Sequence, residues 1–100
     1  MLILERTEKP KQEIFNEITV KMAETYKAKN HDYGNSFSKS IDEFGLVAAV
    51  VRLNDKMERL KSLAKMGSDE IKVKDESIKD TLLDLANYAV MTLVELETKF

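Results

Sequence analysis

The stretch DESIKDTLLDLANY, residues 75–88, decides the fold. Read as a helix it sets Glu76, Asp80, Asp84 and Asn87 on one stripe, at offsets of four, four and three. With about 100° of rotation per residue, the four side chains fall within roughly 80° of one another. Leu83 and Val90 flank this stripe on one side, Thr81 and Tyr88 on the other. The opposite face is apolar: Ile78, Leu82, Leu85, Ala89, Leu93 and Leu96. A helix exposed all round would surround its acids with Lys and Glu. This one surrounds them with apolar and aromatic residues. Carboxylates withdrawn from water need a partner, and two are chemically reasonable. One is a divalent cation held by oxygen donors, as in helical bundles with acidic cores. The other is an Arg or Lys from a neighbouring helix.

The rest of the chain reads as helical too. It has three Gly and one Pro in 100 residues, and each marks a boundary. Pro10 suits the first turn of a helix. After it Ile14, Phe15, Ile18, Met22 and Tyr26 recur at helical spacing, which predicts a helix over 10–29. NHDYGNSFS, residues 30–38, reads as a break. Ser40 and Glu43 have capping-box spacing and predict the start of a short helix that Gly45 ends or kinks. Leu46, Val50, Leu53, Met57, Leu60 and Ala64 share a stripe of a helix over 46–66. MGSDEIKVK, residues 66–74, reads as a polar connection. Asp75 or Ser77 then caps a last helix running close to Phe100. β-branched residues are scattered rather than alternating, so no sheet is expected. The expected architecture is all-α: one domain over residues 1–100, a bundle of three long helices plus one short one.

Composition narrows the function. A net charge of −2 provides no basic field for extended nucleic acid. The absence of Cys excludes disulfides and thiolate metal sites and fits a reducing cytoplasm. A single His, His31, excludes a site that needs two from one chain. No apolar run reaches the roughly 18 residues of a membrane span. MLILERTEKP is too short and too soon charged for a signal peptide.

Two further clusters carry chemistry. In RLNDKMER, residues 52–59, Arg52, Asp55 and Arg59 share a face with Ser62, and Glu58 lies about 60° aside. Alone, these residues make ordinary ion pairs on a wet surface, Arg52 with Asp55 and Asp55 with Arg59. Set antiparallel to the last helix, Asp55 and Glu58 come opposite Glu76, Asp80 and Asp84. Such a group of carboxylates would hold one or two hard divalent ions. Arg52, Lys56 and Arg59 would then counter the charge of a polyphosphate. In HDYGNSF, residues 31–37, Gly34 permits unusual backbone, and Asp32 and Asn35 form turns. The plain reading is a turn anchored by two rings. The richer one has His31, Tyr33 and Phe37 contacting a base, with Lys29 near a phosphate.

KNHDYGNSFSKSIDEFG (29–45), VRLNDKMERLKSL (51–63) and DESIKDTLLDLANYAVM (75–91) together resemble the nucleotide modification associated domain 1 family, common in phage genomes. The resemblance spans about residues 27–94. That family is similar to the all-α NTP pyrophosphohydrolases of the MazG-like superfamily, whose ExxE and ExxD motifs bind Mg²⁺. DKME, residues 55–58, stands where ExxE would be, and DTLLD, residues 80–84, with Glu76 before it, where ExxD would be. Asp replaces the first Glu, and the second pair is spaced by four rather than three.

The resemblance implies Mg²⁺, or Mn²⁺, held by Asp55, Glu58, Asp80 and Asp84, with Glu76 a further ligand or the catalytic base. It implies phosphates on Arg52, Lys56, Arg59 and Lys29, with His31, Tyr33, Asn87 and Tyr88 at base and sugar. The implied reaction is attack of water on the α–β anhydride of an NTP or dNTP. The alternatives are a non-catalytic binder on the same fold, which a phage would use to sequester host signalling nucleotides, and a purely structural oligomer. A homodimer or homotetramer is expected, because Leu83, Val90 and Val94 make the last helix apolar on more than one side.

Overall fold

Residues 8–33, 35–65 and 71–99 are described by the structure, a computed structural model; the side chains of 31–33, 71–75 and 99 lie outside the described set. Every element among the described residues is a helix. They are α1 (Lys11–Tyr33), α2 (Ser36–Phe44), α3 (Val47–Lys65) and α4 (Ile71–Lys99). Three are long and one is short, the all-α architecture expected from the sequence. No helix among the described residues is long and apolar enough to cross a membrane. Contacts divide the chain into two compact units, Met1–Gly34 and Asn35–Phe100.

In the first unit the Pro10 carbonyl starts α1 by accepting from the Glu13 and Ile14 amides at 3.0 and 3.2 Å. Lys9 and Glu17 form an ion pair of 2.9 Å along its first turns. The helix does not stop at residue 29. It carries Asn30, His31, Asp32 and Tyr33, so most of the predicted break is helical. Turn formers tolerate a helix end, and Asn35, just before α2, has left-handed backbone with φ 62° and ψ 33°. Asn is among the few residues that enter this left-handed region readily. Gly34 lies outside the described residues.

In the second unit α2 starts at Ser36, so Ser40 lies inside it and the predicted capping box does not form. Asn35 occupies the cap position without a side-chain hydrogen bond. Gly45 ends the helix as expected: with φ 79° it donates its amide to the Ile41 carbonyl at 2.8 Å. α3 matches its predicted range to within a residue at each end. α4 begins at Ile71, earlier than Asp75 or Ser77, so the second half of the predicted connection is helical. Residues 66–70, Gly67 included, lie outside the described residues.

α3 packs on α4, and α2 on α3. α4 runs back along α3 because only residues 66–70 separate them. The face α3 turns inward is Ala49, Leu53, Lys56, Leu60 and Leu63, with Ala49 and Leu63 buried. The predicted stripe is rotated away from this line: Leu46, Val50, Met57 and Ala64 are exposed, and only Leu53 and Leu60 belong to both. α4 departs further. Its inward stripe is Ser77, Thr81, Asp84, Tyr88, Thr92 and Glu95, with Thr81 and Glu95 buried at 2% and 8% exposure. On its aliphatic face, Leu82, Ala89 and Leu93 are exposed.

A polar seam is stable only if its groups are hydrogen-bonded. Thr81 donates to the Ser77 carbonyl at 2.7 Å, and Thr92 to the Tyr88 carbonyl at 2.6 Å. Each hydroxyl is thus satisfied by its own helix one turn back. Ser38 of α2 donates to Glu95 Oε2 at 3.2 Å, tying the short helix to the far end of α4. No buried side-chain nitrogen or oxygen among the described residues lacks a partner.

Candidate functional site

Helical rotation and the antiparallel arrangement sort the charges. Measured from the contact line, Arg52, Asp55 and Arg59 lie about 60–120° to one flank of α3, and Glu76, Asp80 and Asn87 lie on the matching flank of α4. In an antiparallel pair these two flanks fall on the same side. Leu46, Val50 and Met57 share the other side with Leu82, Ala89 and Leu93. The α3–α4 pair therefore has a side that carries the charges, with Leu83 and Val94 of α4 among them, and an aliphatic side, joined along a mixed seam.

At the edge of the charged side Lys56 Nζ meets Asp84 Oδ2 at 3.1 Å. Their side chains are 28% and 41% exposed, so water screens the pair only in part. Of the two partners open to the α4 acids, a metal or a cation from a neighbouring helix, the structure shows the second at Asp84. It is Lys56, a residue assigned from the sequence to phosphate.

Glu58 is exposed and held by Lys61 on its own helix at 3.2 Å. Asp55, Glu76 and Asp80 are exposed and make no ion pair among the described residues. The same holds for Arg52 and Arg59, so the wet-surface pairs of Arg52 with Asp55 and of Asp55 with Arg59 do not form. Of the sequence-named residues on α3 and α4, the structure brings Lys56 to Asp84. Asp55 and Asp80 share a side without meeting, and Glu58, nearly opposite the contact line, points away.

Asn87 and Tyr88 follow Asp84 by one turn and are half-buried. The Tyr88 ring lies 5.4 Å from that of Phe37 on α2, tilted by 52°, within the range of a favourable aromatic pair. Phe37 thus stands beside a residue assigned to the nucleoside. Its ring and its place in HDYGNSF were the only signals for it in the sequence. Ser38 and Glu95, which tie α2 to the far end of α4, carried no signal at all, because their contact joins residues distant in sequence. Lys29 is exposed on α1, in the other unit. The side chains of His31 and Tyr33 lie outside the described residues.

Asp55, Glu58, Asp80 and Asp84 are hard oxygen donors suited to Mg²⁺ or Mn²⁺. Among the described residues, however, no three His, Cys, Asp or Glu side chains are grouped closely enough to hold an ion. Asp84 is already neutralised by Lys56. Among the described residues this arrangement does not fit a bound divalent ion.

The described chain is an all-α protein that presents cations, acids and an amide along the α3–α4 pair, with a ring pair between α2 and α4. More particularly, residues 29–96 match the family model of nucleotide modification associated domain 1, and the chain belongs to that family. No curated protein and no solved structure matches the chain.

Proposed function

We propose that this protein binds a phosphorylated nucleotide on the charged side of α3 and α4. The observation that carries this reading is Lys56. A half-buried ammonium stands at the seam, with Arg52 and Arg59 on the same helix and Asn87 and Tyr88 one turn along the partner helix. Guanidinium and ammonium groups suit phosphate oxygens. An amide and a ring suit the edge and face of a base or sugar. The family's association with nucleotide modification supports the same ligand class. From the sequence pattern alone, Lys29, His31 and Tyr33 of α1 are also proposed as nucleotide contacts.

A second reading is Mg²⁺-dependent pyrophosphohydrolysis of an NTP or dNTP, with Asp55, Glu58, Asp80 and Asp84 as ligands and Glu76 as base. The shared side of Asp55 and Asp80 favours it. It requires the acids to draw together and Lys56 to leave Asp84. We further propose a homodimer or homotetramer, supported by the exposed aliphatic side, and a reducing cytoplasm as its location, supported by the lack of Cys.

Native mass spectrometry against a panel of nucleotides, with and without Mg²⁺, tests these readings together. Retention of an intact nucleotide supports binding. Release of pyrophosphate only when Mg²⁺ is present assigns hydrolysis. No nucleotide retained at millimolar concentration rejects both.

A further inference from the structure

We infer that Asp84 is a built-in competitor for the ligand's phosphate: its carboxylate occupies the Lys56 ammonium at 3.1 Å, and a polyphosphate binds by taking that ammonium over. This rests on the charged side of α3 and α4 being the nucleotide site. It adds that the site is latched when no ligand is present.

The geometry supplies the argument. Arg52 and Arg59 are exposed and make no ion pair among the described residues, so a phosphate reaches them without displacing a carboxylate. Lys56 lies on the inward stripe between Leu53 and Leu60. Its flanks are packed, and its head emerges where Asp84 waits. A phosphate that approaches that head meets a carboxylate within ion-pair distance of it. Two anions at such separation, partly shielded from water, repel strongly. The phosphate therefore either stays outside or displaces Asp84.

Once displaced, Asp84 is a half-buried carboxylate without a counter-charge, with Asp80 one turn away on the same helix. That unmet charge opposes displacement and keeps the latch closed until a phosphate outcompetes it.

Calorimetric titration with inorganic tripolyphosphate in EDTA tests the latch without any metal. The proteins compared are the unsubstituted chain, Asp84→Asn, Lys56→Met, the double variant, and Glu97→Gln, an exposed acid near the far end of α4, as a control for net charge. Asp84→Asn frees Lys56 and is expected to bind at least about fivefold tighter, the lower end of measured site-to-site coupling. Lys56→Met is expected to bind more weakly than the unsubstituted chain, and the double variant no tighter than Lys56→Met. Glu97→Gln, which breaks no ion pair among the described residues, is expected to change affinity by less than about twofold.

An Asp84→Asn affinity equal to or below that of the unsubstituted chain overturns the latch, while leaving nucleotide binding by that chain intact. A gain that survives in the double variant overturns it too, since the effect is then only net charge. Absence of binding in all five proteins rejects the latch and the nucleotide reading together. The unsubstituted chain offers an independent readout if a variant fails to fold. The Lys56 ammonium resonance in a ¹⁵N correlation spectrum is expected to shift on adding tripolyphosphate. An unchanged resonance while tripolyphosphate binds sinks the proposal.

Discussion

On one side of the α3–α4 pair stand Arg52, Asp55, Arg59, Asp80 and Asn87; on the other stand Leu46, Val50, Met57, Leu82, Ala89 and Leu93. Both sides are largely exposed; the second is aliphatic, while on α4 the first also carries Leu83 and Val94 among its polar groups. The seam between them is mixed: Ala49, Leu53, Lys56, Leu60 and Leu63 face Thr81, Asp84, Tyr88, Thr92 and Glu95. The polar side needs no cover, since charges are at home in water. The aliphatic side loses free energy for every exposed group. This contrast teaches that the amphipathic period of a helix identifies two faces without saying which one its neighbour takes. Here α4 turns hydroxyls and a carboxylate toward α2 and α3, and turns leucines away.

The contrast is open to breaking, beginning where the effect is largest. Ala49 is fully buried. Ala49→Glu places an unpaired charge in the seam and should cost about 4 kcal/mol or more, enough to abolish the thermal transition in circular dichroism. Leu63→Ala leaves a cavity and should cost roughly 3 kcal/mol by urea unfolding. Leu82→Ala, at an exposed position, should cost less than about 1 kcal/mol if nothing covers it. A loss comparable with Leu63→Ala would show that the aliphatic side is covered in solution.

Assembly sharpens the same question. Light scattering at micromolar concentration is expected to give at least twice the chain mass of 11.5 kDa. Leu93→Glu is expected to return the mass to that of one chain, because a charge on the aliphatic side opposes association. A chain that is already monomeric would remove self-association as the fate of this side.

The charged side predicts smaller changes in stability. Arg59→Ala should leave the melting temperature nearly unchanged, since Arg59 makes no ion pair among the described residues. Its nucleotide affinity should fall about tenfold, a difference of about 1.4 kcal/mol. Unchanged affinity would return Arg59 to the solvated surface. The smallest effect belongs to Thr81→Val. The hydroxyl bonds only its own helix, so its removal should cost about 1 kcal/mol or less despite full burial.

Much of the fold was legible in the residues because it is set locally. Gly45 ended α2 through a positive φ, and Pro10 opened α1. The span of α3 followed from an uninterrupted helical period. Boundaries rich in turn formers were less legible: Asn30–Tyr33 continued a helix that their composition alone would end, and α4 began four or more residues early. Of the site, the residue types and their helical stripes were readable, and so was the short list of partners for the acids. The choice of Lys56 for Asp84 was not, since the sequence had assigned those two residues to different ligands.

The sequence by itself determined that the chain is helical, where its charged and aliphatic stripes lie, and that it belongs to the nucleotide modification associated domain 1 family. Those properties depend on local period and on motifs in order. The tertiary structure alone decided which stripe turned inward, that Phe37 met Tyr88, that Ser38 met Glu95, and that an ammonium rather than a gathering of carboxylates neutralised Asp84. The physical reason is rotation. A turn of about 60° of one helix against another leaves every local preference intact, yet exchanges the side chains at the contact line.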